Sequence, residues 1–350
     1  MKKNKLLIAL GAAVLIGIVS LLAYKAQNRG ASDDVIRIGA ILPLTGVVSE
    51  VGVDIQKGIL LAREYYEKNG LHIDVQVEDG KYLAKETIGC FNKLVSSDID
   101  GIFVAGQVPA ASIKPLVIKA KIPTMATIAG AKDIPLDNDY MFRCYFSAYK
   151  VGECMGSYAS TNLIAKSVAI FKIDNEWGTD SAQGFITQYN GKILGVETFD
   201  IADTDMRAQV SKLLKMQPDG VFVTGFGPGF STCFNRLREC GYSGKIMTDP
   251  GILEPAYQKN IKDVSDIYYV CSAFDSVRKD FSGMDFFLQY HEKYHDEPSL
   301  FSAFAYTSTI ILIDQVSQKH ITQYMTPVGV VKIEKDGDVD IPLLIEQFRK

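Results

Sequence analysis

The hydrophobic pattern between positions 36 and 66 predicts a buried strand, a turn and a helix. Apolar residues alternate at positions 36, 38 and 40 and continue to Leu42, which is typical of a strand inside a sheet. Pro43 and the Thr45-Gly46 pair then favour a turn, and Ser49 is suited to cap a helix. Apolar residues at positions 55, 59, 62 and 66 form one stripe on that helix. In a parallel sheet such a turn lies at the carboxyl end of the strand, so this loop is a candidate to face a ligand.

The same alternation of strands and helices continues along the chain and predicts an α/β fold with mainly parallel sheets. A break near position 147 separates two series of strands, which indicates two lobes, each with its own core. The C-terminal part returns to long helices and then a hairpin, for which Asp336-Gly337 is a strong turn signal. The predicted strands are 36–42, 73–78, 101–105, 122–126 and 140–144 in the first series, and 167–173, 193–199, 220–224, 245–248 and 267–271 in the second.

Residues 1–31 have the layout of an export segment. Three lysines precede an apolar run at positions 6–24, and Lys25 and Arg29 follow it. The run is long enough to cross a bilayer, and the absence of any cysteine before Cys90 excludes a lipid-modified N-terminal cysteine. Cleavage near position 26 or 31 and retention as a membrane anchor both stay open. In either case we expect the body of the protein to lie outside the cytoplasm, in the periplasm or at the cell surface.

We expect the remainder to divide into two lobes that exchange the chain three times. Lobe 1 is predicted to contain residues 35–146 plus 276–324, and lobe 2 residues 149–273 plus 328–350. The crossings are expected near 146–149, 273–276 and 324–328, because no low-complexity linker separates the two series.

Charge and cysteine content narrow the classes of partner. The chain has a formal net charge of −4, and because residues 1–31 carry five basic residues and no acid, the remainder carries −9. An acidic body without a basic patch argues against nucleic acid as a partner. The six cysteines show no metal-binding spacing, which leaves buried thiols or one long-range disulfide as the alternatives.

A series of segments, taken in order, resembles the type I periplasmic binding proteins of ABC transporters, in the subgroup of the leucine/isoleucine/valine-binding protein. The resemblance covers the chain from about position 35 to its C-terminus. It implies two Rossmann-like lobes, three crossovers and a ligand captured in the cleft between them by hinge closure. The segments that carry it include IGAILPLTG, GIFVAGQVPAA, IPTMATIAGA, IDNEWG, DTDMRAQVSKLLKMQPDGVFV and AFAYTSTIILIDQV.

Ligand-facing positions follow from the same resemblance. In amino-acid-binding members, hydroxyls and backbone N–H groups hold the ligand carboxylate, an aromatic residue covers it, and an acid in the last loop takes its ammonium. The sequence differs at three of these places, since Gln-Val-Pro-Ala-Ala replaces a serine-containing loop, Gly130 replaces a threonine, and Asp249 lies one residue before the expected acid. The residues that match ligand-facing positions are Thr45, Gln107, Val108, Ala126, Thr127, Ala129, Phe146, Trp177, Phe226 and Asp249.

Several of these candidates have a structural alternative. Trp177, the only tryptophan, follows a strand and can either cover a ligand or pack in the core. Phe226 lies in a glycine-rich loop whose spacing is not that of a phosphate-binding loop. Asp249 can neutralise a ligand cation or cap the following turn. Arg143 can contact a ligand or form a structural ion pair.

One segment suggests an enzyme. Residues 291–295, HEKYH, fit H-E-x-x-H, which on a helix places two histidines for zinc and a glutamate as general base. The alternative is a solvated helix end, because Asp296-Glu297-Pro298 follows at once. The sequence shows no Ser/His/Asp arrangement of the kind used in nucleophilic catalysis, and it implies no cofactor.

The sequence therefore predicts an extracytoplasmic solute-binding protein, not an enzyme, that captures a small polar ligand such as an amino acid or a similar compound. Its expected partners are the permease subunits of an ABC importer, with the membrane as a further partner if residues 6–24 are retained. A sensory module tethered by those residues is the first alternative, and a zinc hydrolase is the second.

Overall fold

The computed structural model describes residues 35–132, 134, 140–274, 285–319 and 321–348. The predicted export segment and residues 275 and 276 of the second predicted crossing lie outside these residues. Two α/β sheets, described here as lobe 1 and lobe 2, form most of the fold, and a small antiparallel sheet lies near the C-terminus. In lobe 1 the elements are β1 (Val35–Leu42), α1 (Ser49–Lys68), β2 (His72–Asp79), α2 (Ala84–Val95), β3 (Gly101–Ala105), α3 (Gln107–Ala120), β4 (Thr124–Thr127) and β5 (Met141–Cys144).

Lobe 2 and the C-terminal region continue the α/β order. The elements of lobe 2 are α4 (Ala148–Thr161), β6 (Ser167–Ile173), α5 (Glu176–Gln188), β7 (Lys192–Phe199), α6 (Arg207–Lys215), β8 (Gly220–Thr224), α7 (Pro228–Glu239), β9 (Lys245–Thr248), a 3₁₀ turn (Pro250–Leu253), α8 (Pro255–Gln258) and β10 (Ile267–Cys271). The C-terminal elements are α9 (Asp285–Tyr294), α10 (Leu300–Val316), β11 (Gln323–Thr326), β12 (Gly329–Ile333), β13 (Val339–Asp340) and β14 (Leu344–Gln347).

The sheet of lobe 1 has strand order β2-β1-β3-β4-β5, and all its strands are parallel. Helix α10 packs against α1 and this sheet, so the last long helix belongs to lobe 1. The two helices approach closely because α1 has glycine at position 58, where a Cβ would lie 2.2 Å from the carbonyl oxygen of Ser302. Strand β4 begins two residues later than predicted, because Pro123 has no N–H for the ladder.

The sheet of lobe 2 has strand order β14-β10-β9-β8-β6-β7, and β14 pairs antiparallel with β10. Helices α4 and α5 cover one face of this sheet and pack closely against each other. A Cβ on Gly152 would lie 1.9 Å from the carbonyl oxygen of Ser181, so only glycine permits this packing. The two-lobe α/β fold predicted from the sequence is confirmed, while the exact division of the chain at the three crossings stays a prediction.

The hairpin of β12 and β13 docks on lobe 1 through Arg143. The guanidinium of Arg143, which is 3% exposed, donates from Nε to Asp338 Oδ1 at 2.8 Å and from Nη1 to the Ala131 carbonyl at 2.7 Å. The backbone N–H of Arg143 donates to the carbonyl of Gly337, whose φ is +84°. Of the two alternatives for Arg143, ligand contact and a structural ion pair, the structure therefore shows the ion pair. Within the described ranges no helix has the length and apolar content to span a membrane.

Candidate functional site

A cavity lies between the two lobes, at the carboxyl ends of the central strands of both sheets. Loops after β1, β3 and β4 form one wall, and loops after β6, β8 and β9 form the other. The space between the atoms is about 600 Å³, part of which opens to solvent. The lining residues are Pro43, Val48, Val51, Ile55, Tyr82, Ala105, Gly106, Gln107, Ile128, Gly130, Tyr145, Trp177, Gly225, Phe226, Asp249, Gly251, Tyr257 and Phe301.

Aromatic rings make up much of the lining. Tyr82 of lobe 1 meets Phe226 of lobe 2 edge to face, with ring centroids 6.2 Å apart. Tyr145 lies 5.7 Å from Trp177 and 6.3 Å from Phe301, centroid to centroid. Tyr145 is 5% exposed, and no hydrogen bond to its hydroxyl is found in the described part of the chain. A ligand in the cavity would therefore be surrounded mainly by the faces and edges of aromatic rings, and the tyrosine hydroxyls would supply isolated polar groups.

Asp249 is the acidic side chain in the lining and is fully buried. Its Oδ2 accepts hydrogen bonds from Trp177 Nε1 (2.9 Å), Thr224 Oγ1 (2.9 Å) and the Gly225 N–H (2.7 Å), and its Oδ1 accepts one from the Gly251 N–H (2.9 Å). Burial raises the pKa of Asp249 to about 6, although these four donors favour the charged form. At neutral pH the cavity thus contains a buried carboxylate whose charge is stabilised by these four hydrogen bonds.

Trp177 is fixed by lobe 2 and contacts lobe 1. Asn175 caps α5 by accepting from the Gly178 N–H, which places Trp177 in the first turn of the helix. The indole N–H is held by Asp249, and the six-membered ring lies over Gly130, where a Cβ would come within 2.2 Å of it. Gly130, at a position where the resemblance led us to expect a threonine, therefore makes room for this ring.

Tyrosine hydroxyls lie near two helix starts that face the cavity. At the start of α3, the Tyr82 hydroxyl lies near the N–H groups of Gln107 and Val108. Tyr82 has φ +60°, and its ring lies 2.4 Å from the position of a Cβ on Gly106, which has φ +102° and must be glycine. At the start of α7, the Tyr257 hydroxyl lies near the Gly227 N–H. Burial raises the pKa of both tyrosines, so both hydroxyls stay protonated and can donate to a ligand.

Glu254 lies behind the lining, where lobe 2 meets α1. Its side chain is fully buried, and neither carboxyl oxygen has a hydrogen-bond partner in the described structure, although the Ala256 N–H lies near the carboxyl group. Its neighbour across the lobe boundary is the carboxyl group of Asp54. Burial and Asp54 raise the pKa of Glu254 well above its usual range. At the rim of the same contact Lys259 pairs with Glu50 at 2.8 Å.

The structure brings together part of the predicted site. Gln107, Trp177, Phe226 and Asp249 all line the cavity. Val108 is 37% exposed on the first turn of α3.

The other predicted residues do not line the cavity. Thr45 is exposed and donates to Asp79 Oδ2 at 2.6 Å. Thr127 donates to the Cys144 carbonyl at 3.0 Å beneath the wall. The remaining predicted residues, all buried behind the lining, are Ala126, Ala129 and Phe146. Lining residues that sequence reasoning missed include Tyr82, Tyr257 and Phe301.

The HEKYH segment does not form a zinc site in the described structure. Helix α9 ends at Tyr294, and His295 has φ +52°, so the second histidine leaves the helical face on which it would have to lie. Lys293 forms an ion pair with Glu64 on α1. Among the described residues no group of three or more potential ligands is close enough to hold a metal ion.

The fold and the interlobe cavity agree with a family comparison. The family model described as "Periplasmic binding protein" matches residues 35–332. The chain belongs to the periplasmic binding protein family. The fold of this chain is that of the type I members. Members of the family are extracytoplasmic solute-binding proteins and not enzymes, so the zinc-hydrolase alternative is set aside.

Individual relatives are distant but cover almost the whole chain. The leucine-, isoleucine-, valine-, threonine- and alanine-binding protein of Pseudomonas aeruginosa is 21% identical over 93% of this chain and 92% of its own length. The branched-chain amino acid transporter substrate-binding protein of Streptococcus pneumoniae, solved with isoleucine, has a TM-score of 0.78 and 23% identity, covering 90% of this chain and 96% of that one. A solute-binding protein of an ABC transporter from Rhodopseudomonas palustris, solved with 3,4-dihydroxybenzoic acid, has a TM-score of 0.80 and 19% identity, covering 91% and 94%.

Proposed function

We propose that this protein captures a small organic solute in the interlobe cavity and delivers it to the permease of an ABC importer. The observation that carries the proposal is that both lobes supply the lining, with Tyr82 and Gln107 from one side and Trp177, Phe226 and Asp249 from the other. A solute in this position would be enclosed only when the lobes close. Closure then reports occupancy to a permease that docks on both lobes.

The proposed ligand is similar in size to an amino acid. A pocket of this volume is of the size that commonly holds small ligands. The relatives described above are named for leucine, isoleucine, valine, threonine and alanine or were solved with isoleucine or 3,4-dihydroxybenzoic acid, which agrees with a small solute that has an apolar body.

A thermal-shift screen of amino acids, amines, amides and small carboxylates tests the proposal. A ligand that binds only the folded form raises stability by RT ln(1 + [L]/Kd), about 2.7 kcal/mol at a hundredfold excess over Kd. Phe226→Ala should weaken the response to a stabilising compound by about 1–3 kcal/mol of binding free energy, because it removes an aromatic wall. Leu288→Ala, at a side chain 51% exposed on α9, is the matched control and should leave the response unchanged. A response that is equal in both variants would contradict the placement of the ligand.

The apolar run at positions 6–24 favours a second candidate, a ligand-sensing module that stays tethered to the membrane. The mass of the N-terminal peptide from protein isolated from membranes separates the two states of this segment. An intact N-terminus supports tethering, and a mature chain that begins near position 27 or 32 contradicts it.

A further inference from the structure

The cavity contains a negative charge that has no basic partner. The described structure has no ion pair at Asp249, and none of the lining residues is lysine, arginine or histidine. The titratable groups around it are the hydroxyls of Tyr82, Tyr145 and Tyr257 and the carboxyl group of Glu254, none of which supplies a positive charge. A buried charge without a counter-ion is unfavourable, so a cation entering the cavity would offset that cost.

The hydrogen bonds at Asp249 are unevenly divided between its two oxygens. Each oxygen of a carboxylate offers about two lone-pair sites. In the described structure three donors share the sites of Oδ2, whereas Oδ1 accepts from the Gly251 N–H alone. An ammonium group could therefore donate to Oδ1 without displacing Trp177 from Oδ2.

The remaining lining suits a cation with an apolar body. Faces of Trp, Tyr and Phe rings attract ammonium groups through their quadrupoles and pack against hydrocarbon. Among the described residues, six aromatic side chains line the cavity, and they come from both lobes. They are Tyr82, Tyr145, Trp177, Phe226, Tyr257 and Phe301.

The lining offers little to a ligand carboxylate. None of its described residues is lysine, arginine, histidine, serine or threonine. At the start of α3, Pro109 has no N–H and the Ala110 N–H donates to the Gly106 carbonyl at 3.0 Å. At α7 the first residue is Pro228, and the Gly229 N–H donates to the carbonyl of Ile201 at 2.9 Å. Few of the donors that commonly receive an anion in proteins are thus present at the cavity.

We propose that the cavity takes an organic cation with an apolar body and no free carboxylate, such as a small monoamine. The proposal rests on the function proposed above and narrows its ligand class. It assigns Asp249 as the counter-ion, the aromatic rings as the walls, and the side-chain amide of Gln107, whose Oε1 accepts from the Ala131 N–H at 3.0 Å, as a further polar contact.

Two matched series of compounds test this ligand class by calorimetry at pH 7.5. The aromatic series is 2-phenylethylamine, phenylalanine, 3-phenylpropionate and 2-phenylethanol, and the aliphatic series is 3-methylbutylamine, leucine, 4-methylpentanoate and 3-methylbutanol. In the series that fits the cavity, the amine should bind about tenfold or more tightly than the zwitterion, the acid and the alcohol. An acid, a zwitterion or an alcohol that binds as tightly as its amine overturns the cation proposal and leaves solute capture intact. Failure of all eight compounds overturns it as well, and failure of the wider thermal-shift screen in addition overturns solute capture.

Proton release gives a second readout that needs no variant. A ligand cation next to Asp249 lowers the pKa of that carboxyl group, so binding at pH 6 should release up to about half a proton per ligand, measured from heats in two buffers of different ionisation enthalpy. The alcohols should release none. Asp249→Asn should reduce the preference for the amine over the alcohol about tenfold, whereas Asp205→Asn, at an exposed acid paired with Arg207, should leave it unchanged. Amine binding without proton release at pH 6 would contradict the assignment of Asp249.

Discussion

Replacement of Trp177 by Phe should make the stability of the protein more sensitive to pH. The wild-type carboxyl group of Asp249 has a folded pKa of about 6 against an ordinary value of 3.8. The folded state therefore binds the proton more tightly, and stability falls as the pH rises from about 4 to about 6, by about 3 kcal/mol in total. Trp177→Phe removes the indole donor and raises the pKa of Asp249 further. A hydrogen bond to a charged group contributes about 1.5–3 kcal/mol, and one to a neutral group about 1 kcal/mol.

Urea unfolding of both proteins at pH 5 and pH 8 measures this effect. At pH 5 the carboxyl group is mostly protonated in both folded states, so the variant loses the packing of the larger ring and a neutral hydrogen bond. At pH 8 the carboxylate is charged, and the loss should be larger by about 1–2 kcal/mol. The cost of burying Glu254 is common to both proteins and cancels in the difference. An equal loss at both pH values would refute the role of the indole N–H as a donor to a charged Asp249.

Further predictions concern the lobe boundary and the packing of helices. Glu254→Gln should raise stability at pH 8 but not at pH 4, because the raised pKa of Glu254 lowers wild-type stability as the pH increases, and chemical unfolding at the two pH values measures this. Arg143→Ala should cost about 3–5 kcal/mol in unfolding free energy, because removal of the buried guanidinium leaves Asp338 without its ion-pair partner, and a double variant with Asp338→Asn should recover part of the loss. Gly152→Ala should lower the melting temperature, since its Cβ would lie 1.9 Å from a carbonyl oxygen of α5, and a loss of about 1–3 kcal/mol or more is expected. Gly89→Ala, in α2 with open space around it, is the matched control and should raise stability by about 0.5–1 kcal/mol; an equal response of the two glycine variants would contradict the packing argument.

Hydrophobic periodicity was sufficient to predict most of the fold. Strands β1, β3 and β8 lie at or within a residue of their predicted bounds, because buried parallel strands are short apolar runs that end at turn residues. The later start of β4 is caused by Pro123, so it could have been inferred from the sequence. Residues 344–347 were expected in lobe 2, but strand β14 itself was not predicted, because an antiparallel edge strand of four residues has little periodic signal.

The candidate site was predictable only in part. Asp249 follows β9 directly and Trp177 lies four residues after the end of β6, so their position at the sheet edge could be inferred, but the hydrogen bond between them joins residues 72 positions apart. Tyr82 also lies just beyond the end of a strand, but its placement over Gly106 depends on a left-handed backbone conformation that no sequence pattern specified. Thr45 was expected to face the ligand, yet it donates to Asp79, whose carboxylate also receives the N–H of Leu44 at 3.0 Å.

The central claim, that a solute binds between the lobes against Trp177, can be tested by fluorescence, because Trp177 is the only tryptophan of the chain. A compound that stabilises the protein should change the indole emission in a saturable way, with the same Kd as in calorimetry, because the indole face that lines the cavity is taken from water into contact with the ligand. Saturating heat of binding with no change in the emission of Trp177 would contradict the claim and place the ligand outside the interlobe cavity.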